Sequence, residues 1–282
     1  MTSESPSRRR ISGANSSVAE LPPAEQIDLG ALAESWAAGE YDLICVLGPT
    51  ASGKTKCAVH IAKVLGNCEI LSADSRQIYK GMDIGTGKDL CEYDDIPYHL
   101  IDIVPAGTKY NVYEFKQAFT KAYEDIRSRG RIPILCGGTG MYINAVTGGY
   151  DFQTSKPLSE AGSMNGEGTP ALRTYFIGTL VDRDTRNARI DARLEARLKE
   201  GMIDEIKGLM AKGVPAEDLI YYGLEYKFVT RHVIGELSYE EMYTQLATAI
   251  HQFAKRQMTW FRGMERSGVK IHWTTPEMIL NL

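Results

Sequence analysis

The sequence predicts an α/β protein with a parallel sheet, helices on both faces of that sheet, and a helical C-terminal part. Two observations carry this prediction. The first is the alternation of apolar strand-like runs with amphipathic helical segments over residues 41–150, which is the pattern of βαβ units. The second is the stretch GPTASGKT, residues 48–55, which matches the full phosphate-binding loop signature and lies between a predicted strand and a predicted helix.

The phosphate loop has the local context that this signature requires. YDLICVL before it is apolar and β-branched enough for a buried strand, and KTKCAVHIAKVL after it has apolar side chains at helical spacing. Backbone N–H groups and a helix N-terminus then point at an anion. We therefore expect a P-loop NTPase-like fold in which Lys54 contacts outer phosphate oxygens and the Thr55 hydroxyl holds Mg²⁺. The predicted phosphate-binding residues are Gly48, Pro49, Thr50, Ala51, Ser52, Gly53, Lys54 and Thr55.

The remaining elements follow in chain order. CEILSAD and YHLIDIV are predicted strands, and residues 111–130 form a predicted helix that Asn111 and Glu114 cap and Gly130 ends. RIPILCGG is a buried strand that leads through a glycine turn into the helical MYINAV. After a polar stretch comes the strand YFIGTLV, then helices over residues 184–212, 221–232 and 238–262, the last with a Ser238/Glu241 capping box, and the strand VKIHW.

The composition is that of an ordinary soluble globular protein, with 24% charged residues and a net charge of −4. This charge excludes a surface that is basic everywhere but leaves room for a local basic stripe. No apolar run approaches the roughly 18 residues of a membrane span. The five cysteines form no CxxC and no paired framework, which favours reduced thiols in a cytoplasmic enzyme. Monomer is the default expectation.

We divide the chain into four parts. Residues 1–40 lack the apolar core of a secretory signal and are interpreted as a disordered tail. Residues 41–150 are the P-loop α/β core, residues 151–174 a polar linker, and residues 175–282 the remainder of the core with the C-terminal helices.

Several candidate groups follow predicted strands, and ligands of open parallel sheets bind beyond the carboxyl ends of the strands. Asp74 suits a general base or a group that supports a metal, and the alternative that it only caps the following turn stays open. Thr139 is the hydroxyl of the glycine turn. Asp102, at the end of YHLID, is a mediocre match to the acid that supports Mg²⁺ in nucleotide-hydrolysing enzymes.

Two basic segments have different interpretations. QFAKRQMTWFRGMER interleaves cations with Trp260 and Phe261, which suits a nucleic-acid or phosphate surface; an amphipathic helix with a solvated basic face fits the spacing equally well. The arginines of residues 183–197 alternate with carboxylates and favour a salt-bridged helix face.

Four motifs together resemble the tRNA dimethylallyltransferases, also called isopentenyl-tRNA transferases. They are GPTASGKT, SADSRQIYKGMDIGTGK, ILCGGTGMY and AKRQMTWFR, in the family's order. The resemblance implies Mg²⁺-assisted transfer of a dimethylallyl group from dimethylallyl diphosphate to the exocyclic N6 amine of the adenosine 3′ of the anticodon in a tRNA anticodon loop.

The resemblance also implies roles for particular residues. Residues 50–55 would hold the diphosphate, with Lys54 neutralising the leaving group and Asp74 as the general base. Thr139 would line the reaction channel. The positions that would contact tRNA are Asp74, Ser75, Arg76, Gln77, Lys255, Arg256, Gln257 and Arg262.

Two departures from the family pattern leave alternatives open. Only the polar linker stands where family members carry a helical tRNA-gripping insertion, and IYYGLEY places Ile220 and Glu225 at the family's basic positions. An adenylate prenyltransferase acting on free AMP, ADP or ATP would need no such insertion. A nucleoside or nucleotide kinase using ATP at the loop, or a degenerate protein that binds RNA or nucleotide without turnover, are rivals from other classes.

Overall fold

The structure is a computed structural model that describes residues 21–148 and 171–281. The first half of the predicted tail and most of the predicted linker therefore lie outside the described residues. Within the described ranges, no helix combines the length and the apolar character that crossing a membrane requires.

A parallel sheet forms the centre of the molecule, as the sequence predicts. Within the described ranges the strands are β1 (Leu43–Leu47), β2 (Cys68–Ser72), β3 (Tyr79–Lys80), β4 (Tyr98–His99), β5 (Val104–Pro105), β6 (Ile132–Gly137), β7 (Thr174–Thr179) and β8 (Ile271–Thr274). Six of them pair in parallel in the order β4-β2-β6-β1-β7-β8, and β3 pairs with β5 in a separate ribbon. The phosphate loop follows β1, which lies between β6 and β7.

Helices cover both faces of this sheet. In the described part of the chain they are α1 (Leu29–Ala37), α2 (Lys54–Leu65), α3 (Val112–Ser128), α4 (Gly140–Thr147), α5 (Arg183–Glu200), α6 (Met202–Ala211), α7 (Ala216–Tyr221), α8 (Leu224–Val233), α9 (Tyr239–Arg266) and α10 (Pro276–Leu280). Alternate side chains of β1 point to opposite faces. Cys45 and Leu47 join a core with α3, α4 and α9, and Ile44 and Val46 join a core with α1, α2 and α10.

The helical C-terminal part has a core of its own. Leu194 of α5, Ile206 of α6, Tyr226 of α8 and Leu246 of α9 belong to one buried cluster that also includes Ile78 and Met82 after β2. The 28-residue helix α9 contributes to this cluster and to the sheet core. It therefore packs against both the helical part and the sheet.

The prediction that residues 1–40 are disordered is wrong for the second half of that range. Asp28 caps α1 by accepting the N–H of Ala31 at 2.9 Å, and Leu29 and Leu32 are buried against the α2 side of the sheet. A nine-residue helix is too short to be stable alone and depends on tertiary packing, so its local sequence gave little signal.

The predicted strand YHLIDIV is broken in the structure. Its first two residues form β4 at the edge of the sheet, and Val104–Pro105 pairs instead with β3. Leu100 and Asp102 between them have left-handed backbone angles, with φ of 65° and 55°. Asp102 pairs with the buried ammonium of Lys88, so this carboxylate has a structural partner and does not line the cavity described below.

The predicted helix over residues 184–212 is two helices. Gly201 ends α5 and precedes α6 with φ of 106°, a conformation that favours glycine. The short helices α7 and α10 were not predicted. The Asn111/Glu114 and Ser238/Glu241 capping boxes are both confirmed.

Candidate functional site

A cavity of about 490 Å³ opens at the carboxyl ends of the central strands, where the phosphate loop, the segment after β2 and the end of β6 meet. Parts of α5, α8 and α10 complete its wall. More lysine and arginine than acidic side chains line it, which suits an anionic ligand. The lining side chains used below are Lys54, Thr55, Asp74, Arg76, Arg189, Arg193, Arg197 and Glu225.

Buried hydrogen bonds hold the phosphate loop in place next to the end of β7. The Ser52 hydroxyl donates to the carbonyl oxygen of Pro49 at 2.8 Å and lies 2.6 Å from the hydroxyl of Thr179 at the end of β7. Helix α2 begins at Lys54, so its first N–H groups have no acceptor within the helix and remain available to an anion. The loop therefore has the geometry of an anion cradle.

Lys54 supplies the positive charge of the loop. Its ammonium lines the cavity and makes no ion pair with any residue of the described ranges. Burial lowers the pKa of Lys54, and the nearby Cys136 and Asp74 act in the opposite direction. A desolvated ammonium without a counter-ion favours an anionic ligand.

Thr55 is the residue predicted to hold Mg²⁺ through its hydroxyl, and this role stays a prediction. Its side chain lines the cavity beside Lys54. No cluster of three or more His, Cys, Asp or Glu side chains among the described residues is arranged to hold a metal. This donor set fits Mg²⁺ carried by a phosphate ligand, because Mg²⁺ keeps several waters and takes only one or two protein ligands in such sites.

Asp74 lies just beyond β2 in the cavity wall. Its Oδ1 accepts the N–H of Arg76 at 2.9 Å, which is the turn-capping role. Its Oδ2 receives no hydrogen bond from a described residue. The two interpretations are therefore compatible, because one oxygen stabilises the turn and the other can accept a proton.

The three residues after Asp74 were predicted to contact tRNA, and each has a partner within the chain. Ser75 donates its N–H to Thr139 at 3.1 Å, and Arg76 forms an ion pair with Glu225. Gln77 accepts from the Ser72 hydroxyl at 3.1 Å and donates to a backbone carbonyl at 3.1 Å. These bonds fix the segment that carries Asp74, and the tRNA contacts stay predictions.

Thr139 joins two loops instead of lining the cavity. Its hydroxyl oxygen accepts the Ser75 N–H, and the hydroxyl donates to Ser75 Oγ at 3.3 Å. Gly138 beside it leaves no room for a side chain, because an added Cβ would lie 2.3 Å from Nε2 of Gln257. The glycine at this turn therefore allows Gln257 to pack closely, and Thr139 positions the segment after β2.

Gln257 does not face outward, which contradicts its predicted position on a tRNA-facing surface. Only 7% of the residue is exposed. Its Oε1 accepts the N–H of Thr50 at 2.8 Å, and its Nε2 donates to the carbonyl oxygen of Gly138 at 2.9 Å. This amide therefore ties α9 to the phosphate loop and to the glycine turn at once.

Other positions on α9 carry the exposed basic residues and Trp260, whereas Phe261 is buried in the sheet core. Lys255 and Arg256 are exposed, and Trp260 is 39% exposed although its indole covers Gly140. Arg262 is half-buried and pairs with Glu265 at 2.9 Å. The amphipathic-helix interpretation is confirmed, since α9 has a buried apolar face and exposed cations, and the nucleic-acid surface stays a prediction.

The arginines of α5 are functional candidates that the sequence interpretation missed. Arg189, Arg193 and Arg197 lie one turn apart and line the cavity. Their partners belong to other elements: Arg193 pairs with Asp89 at 2.6 Å and Arg189 with Glu277 at 3.7 Å. The predicted salt-bridged helix face is therefore wrong for these three. Their i, i+4, i+8 spacing was the available signal.

These features define a P-loop-like α/β protein with a cationic pocket at the phosphate loop. A family model described as IPP transferase matches residues 77–164 and 152–264. The chain is 49% identical to tRNA dimethylallyltransferase 1 of Parabacteroides distasonis, with 83% of this chain and 92% of the relative covered. It is 50% identical to tRNA dimethylallyltransferase 1 of Porphyromonas gingivalis, with 82% and 93% covered. The chain belongs to the tRNA dimethylallyltransferase family.

Solved structures agree with this membership. The tRNA isopentenylpyrophosphate transferase of Bacillus halodurans superposes with a TM-score of 0.70 at 32% identity, covering 82% of this chain and 88% of that one. The tRNA isopentenylpyrophosphate transferase of Staphylococcus epidermidis gives 0.70 at 29% identity, covering 85% and 96%. The family model matches in two segments that overlap over residues 152–164, within the predicted linker.

Proposed function

We propose that this protein transfers a dimethylallyl group from dimethylallyl diphosphate to the N6 amine of the adenosine 3′ of the anticodon in tRNA. The observation that carries the proposal is the cavity lined by Lys54, which has no ion-pair partner in the described ranges, the arginines of α5 and the carboxylate of Asp74. The cationic side of that cavity suits a diphosphate, and the carboxylate of Asp74 is suited to accept a proton from an amine. The names of the relatives support the same reaction.

The cationic wall would act on the leaving group. As the bond between the allylic carbon and oxygen breaks, negative charge collects on the diphosphate. Lys54, the N–H groups of the loop and the arginines of α5 would stabilise that charge, which would be the larger electrostatic contribution in such a reaction. Thr55 would hold Mg²⁺ through its hydroxyl, and the ion would supply further positive charge against the diphosphate.

Asp74 would act on the acceptor. The exocyclic amine of adenine is a poor nucleophile because its lone pair is delocalised into the ring. Oδ2 of Asp74 is available to take the proton as the carbon–nitrogen bond forms, and a positioned base typically contributes about 10²–10⁴-fold. A base stacked in an anticodon loop has to leave its stack to reach this cavity.

The acceptor is the point at which the alternatives differ. We favour tRNA over free AMP, ADP or ATP because the exposed face of α9 combines Lys255, Arg256 and Trp260 beside the glycine turn, and cations with an aromatic ring suit a phosphate backbone with an unpaired base. The five free thiols, four of them buried, support a reducing compartment such as the cytoplasm. We expect a monomer, which size-exclusion chromatography tests.

The proposal is tested with labelled dimethylallyl diphosphate and Mg²⁺, offering unmodified tRNA, AMP or ATP as acceptor. We expect label in tRNA. Label in the free nucleotide would support the adenylate prenyltransferase instead, and ATP consumption with a nucleoside acceptor would support a kinase. Diphosphate binding without transfer to any acceptor would support the degenerate binding protein and contradict the proposal.

Replacing Asp74 by alanine tests the assignment of the base. We expect the single-turnover transfer rate to fall by about 10²–10⁴-fold, the contribution of a positioned base, while inorganic diphosphate still binds. Calorimetry on the same preparation measures that binding. A variant that transfers at the normal rate would refute the base assignment.

A further inference from the structure

The cavity contains a buried carboxylate where the proposed diphosphate chemistry would favour only positive charge. Glu225 lies in the first turn of α8 and is 4% exposed. Its Oε2 pairs with Nη1 of Arg76, and its Oε1 lies 3.9 Å from Nη1 of Arg197. All three side chains line the cavity. Glu225 is therefore an internal anion between two arginines in the proposed binding site.

The two arginines are held to different extents. Arg76 has partners on two sides. Its guanidinium forms an ion pair with Glu225, and the ring centroid of Phe253 lies 5.6 Å from its Cζ. Burial tends to lower the pKa of Arg76, and the charges of Glu225 and Asp74 more than offset it. Arg76 is consequently fixed against the wall formed by α8 and α9.

The buried positive charge of Arg197 lacks a close counter-ion among the described residues. Its Nη2 is buried without a hydrogen-bond partner among the described residues, and its carboxylate neighbours Glu225 and Asp89 lie at 3.9 Å and 3.7 Å, beyond hydrogen-bonding distance. Burial, with the adjacent Arg193, lowers the pKa of Arg197 to about 10. A buried guanidinium with a free N–H is a group that an anionic ligand can satisfy.

We propose that Glu225 is a positioning residue that sets the affinity of the cavity for diphosphate. It holds Arg76 at the α8 wall by an ion pair, and its charge, 3.9 Å from Nη1 of Arg197, competes with that of the ligand for both guanidinium groups. The inference rests on the proposed function, in which diphosphate enters as part of the donor and leaves as product. A wall with the same cations and no internal anion would bind that product more tightly and release it more slowly.

The test is the binding of inorganic diphosphate to the full chain, measured by calorimetry, in Glu225→Gln. Glutamine has nearly the same shape but no charge, so the two arginines become available to the ligand. We expect diphosphate to bind about tenfold more tightly. In the transfer reaction the KM for dimethylallyl diphosphate and kcat are both expected to fall, because release becomes slower.

A role that is only structural predicts the opposite result. If Glu225 merely keeps α8 and α5 together, the variant would loosen the arginines, and diphosphate would bind equally well or more weakly; either result overturns the inference. Glu225→Asp provides a second variant in case the glutamine protein is unstable. Aspartate keeps the charge, but its shorter side chain moves the carboxylate away from Arg197. We therefore expect diphosphate to bind about two- to threefold more tightly, and unchanged binding would contradict the inference.

Glu236→Gln is the matched control. Glu236 pairs with Arg231 at 2.8 Å on the surface at the end of α8, so the substitution removes the same charge outside the cavity, and we expect no change in diphosphate binding. A wild-type protein that binds no diphosphate would contradict the proposed function itself. Normal wild-type binding with no effect of Glu225→Gln would overturn only the inference about Glu225.

Discussion

At the scale of single residues, the site depends on buried polar side chains that join one loop to another. Gln257 contacts the phosphate loop and the glycine turn, and Thr139 contacts the segment that carries Asp74. Each bond satisfies a backbone group that would otherwise be buried without a partner. The loops therefore hold their relative positions through side chains that were predicted to face substrate.

Replacing Gln257 by methionine tests this arrangement. The new side chain fills a similar volume but leaves the Thr50 N–H and the Gly138 carbonyl without partners. We expect a loss of about 2–4 kcal/mol in the free energy of unfolding and weaker diphosphate binding, measured by urea titration and calorimetry. Thr259→Ala at an exposed position of α9, where the hydroxyl donates to the carbonyl oxygen of Lys255, is the control. Equal stability of the two variants would contradict the prediction.

At the scale of elements, β2 carries a charged residue in the buried sheet. Glu69 is 2% exposed and accepts two hydrogen bonds from Arg129 after α3, while Arg131 and His99 approach it at 2.9 Å and 2.6 Å. It lies at the start of β2, and the cavity lies beyond the end of that strand. The cluster thus connects β2, β4, β6 and α3 away from the site.

The charge on Glu69 makes this connection sensitive to pH. Hydrogen bonds from Arg129 lower the pKa of Glu69 to about 2 against the opposing effect of burial, with His99 adding to the lowering. Because the folded-state pKa is depressed, the stabilisation is present above the unfolded-state pKa near 4.5 and is lost as the pH falls toward 2.

Glu69→Gln is therefore expected to destabilise the protein at pH 7, by about 2–3 kcal/mol from the size of the shift. The difference from wild type is expected to shrink progressively below pH 4.5. Urea unfolding at pH 7, 4 and 3 measures it. A difference that stays constant over this range would show that packing, and not the charge, is what the substitution removes.

At the scale of the whole molecule, α9 has buried and exposed faces with different surroundings. Its buried face fixes the loops around the cavity, and its exposed face carries Lys255, Arg256 and Trp260. The net charge of −4 does not prevent a local cationic surface. The proposed donor and tRNA sites are therefore expected to be separable by mutation.

The variant Lys255→Ala/Arg256→Ala tests this separation. We expect weaker tRNA binding, with the slope of log K against log salt reduced by about 1 for each phosphate contact removed, and unchanged binding of inorganic diphosphate. Binding measured over a series of salt concentrations gives the slope. Lys121→Ala, an exposed charge on α3, is the control; an equal effect of this control on tRNA binding would argue against a specific surface.

The sequence determined the sheet, the phosphate loop and the position of Asp74, because each depends on local patterns: apolar runs, glycines at fixed spacing, and caps. Only the tertiary structure decided which polar residues face the cavity. Gln257 faces inward, and the arginines of α5 face the cavity next to the phosphate loop. Glu225 lies between Arg76 and Arg197. The physical reason is that the partners of these side chains are far away in the chain, so helical spacing gives the face of a residue but not the element that this face meets.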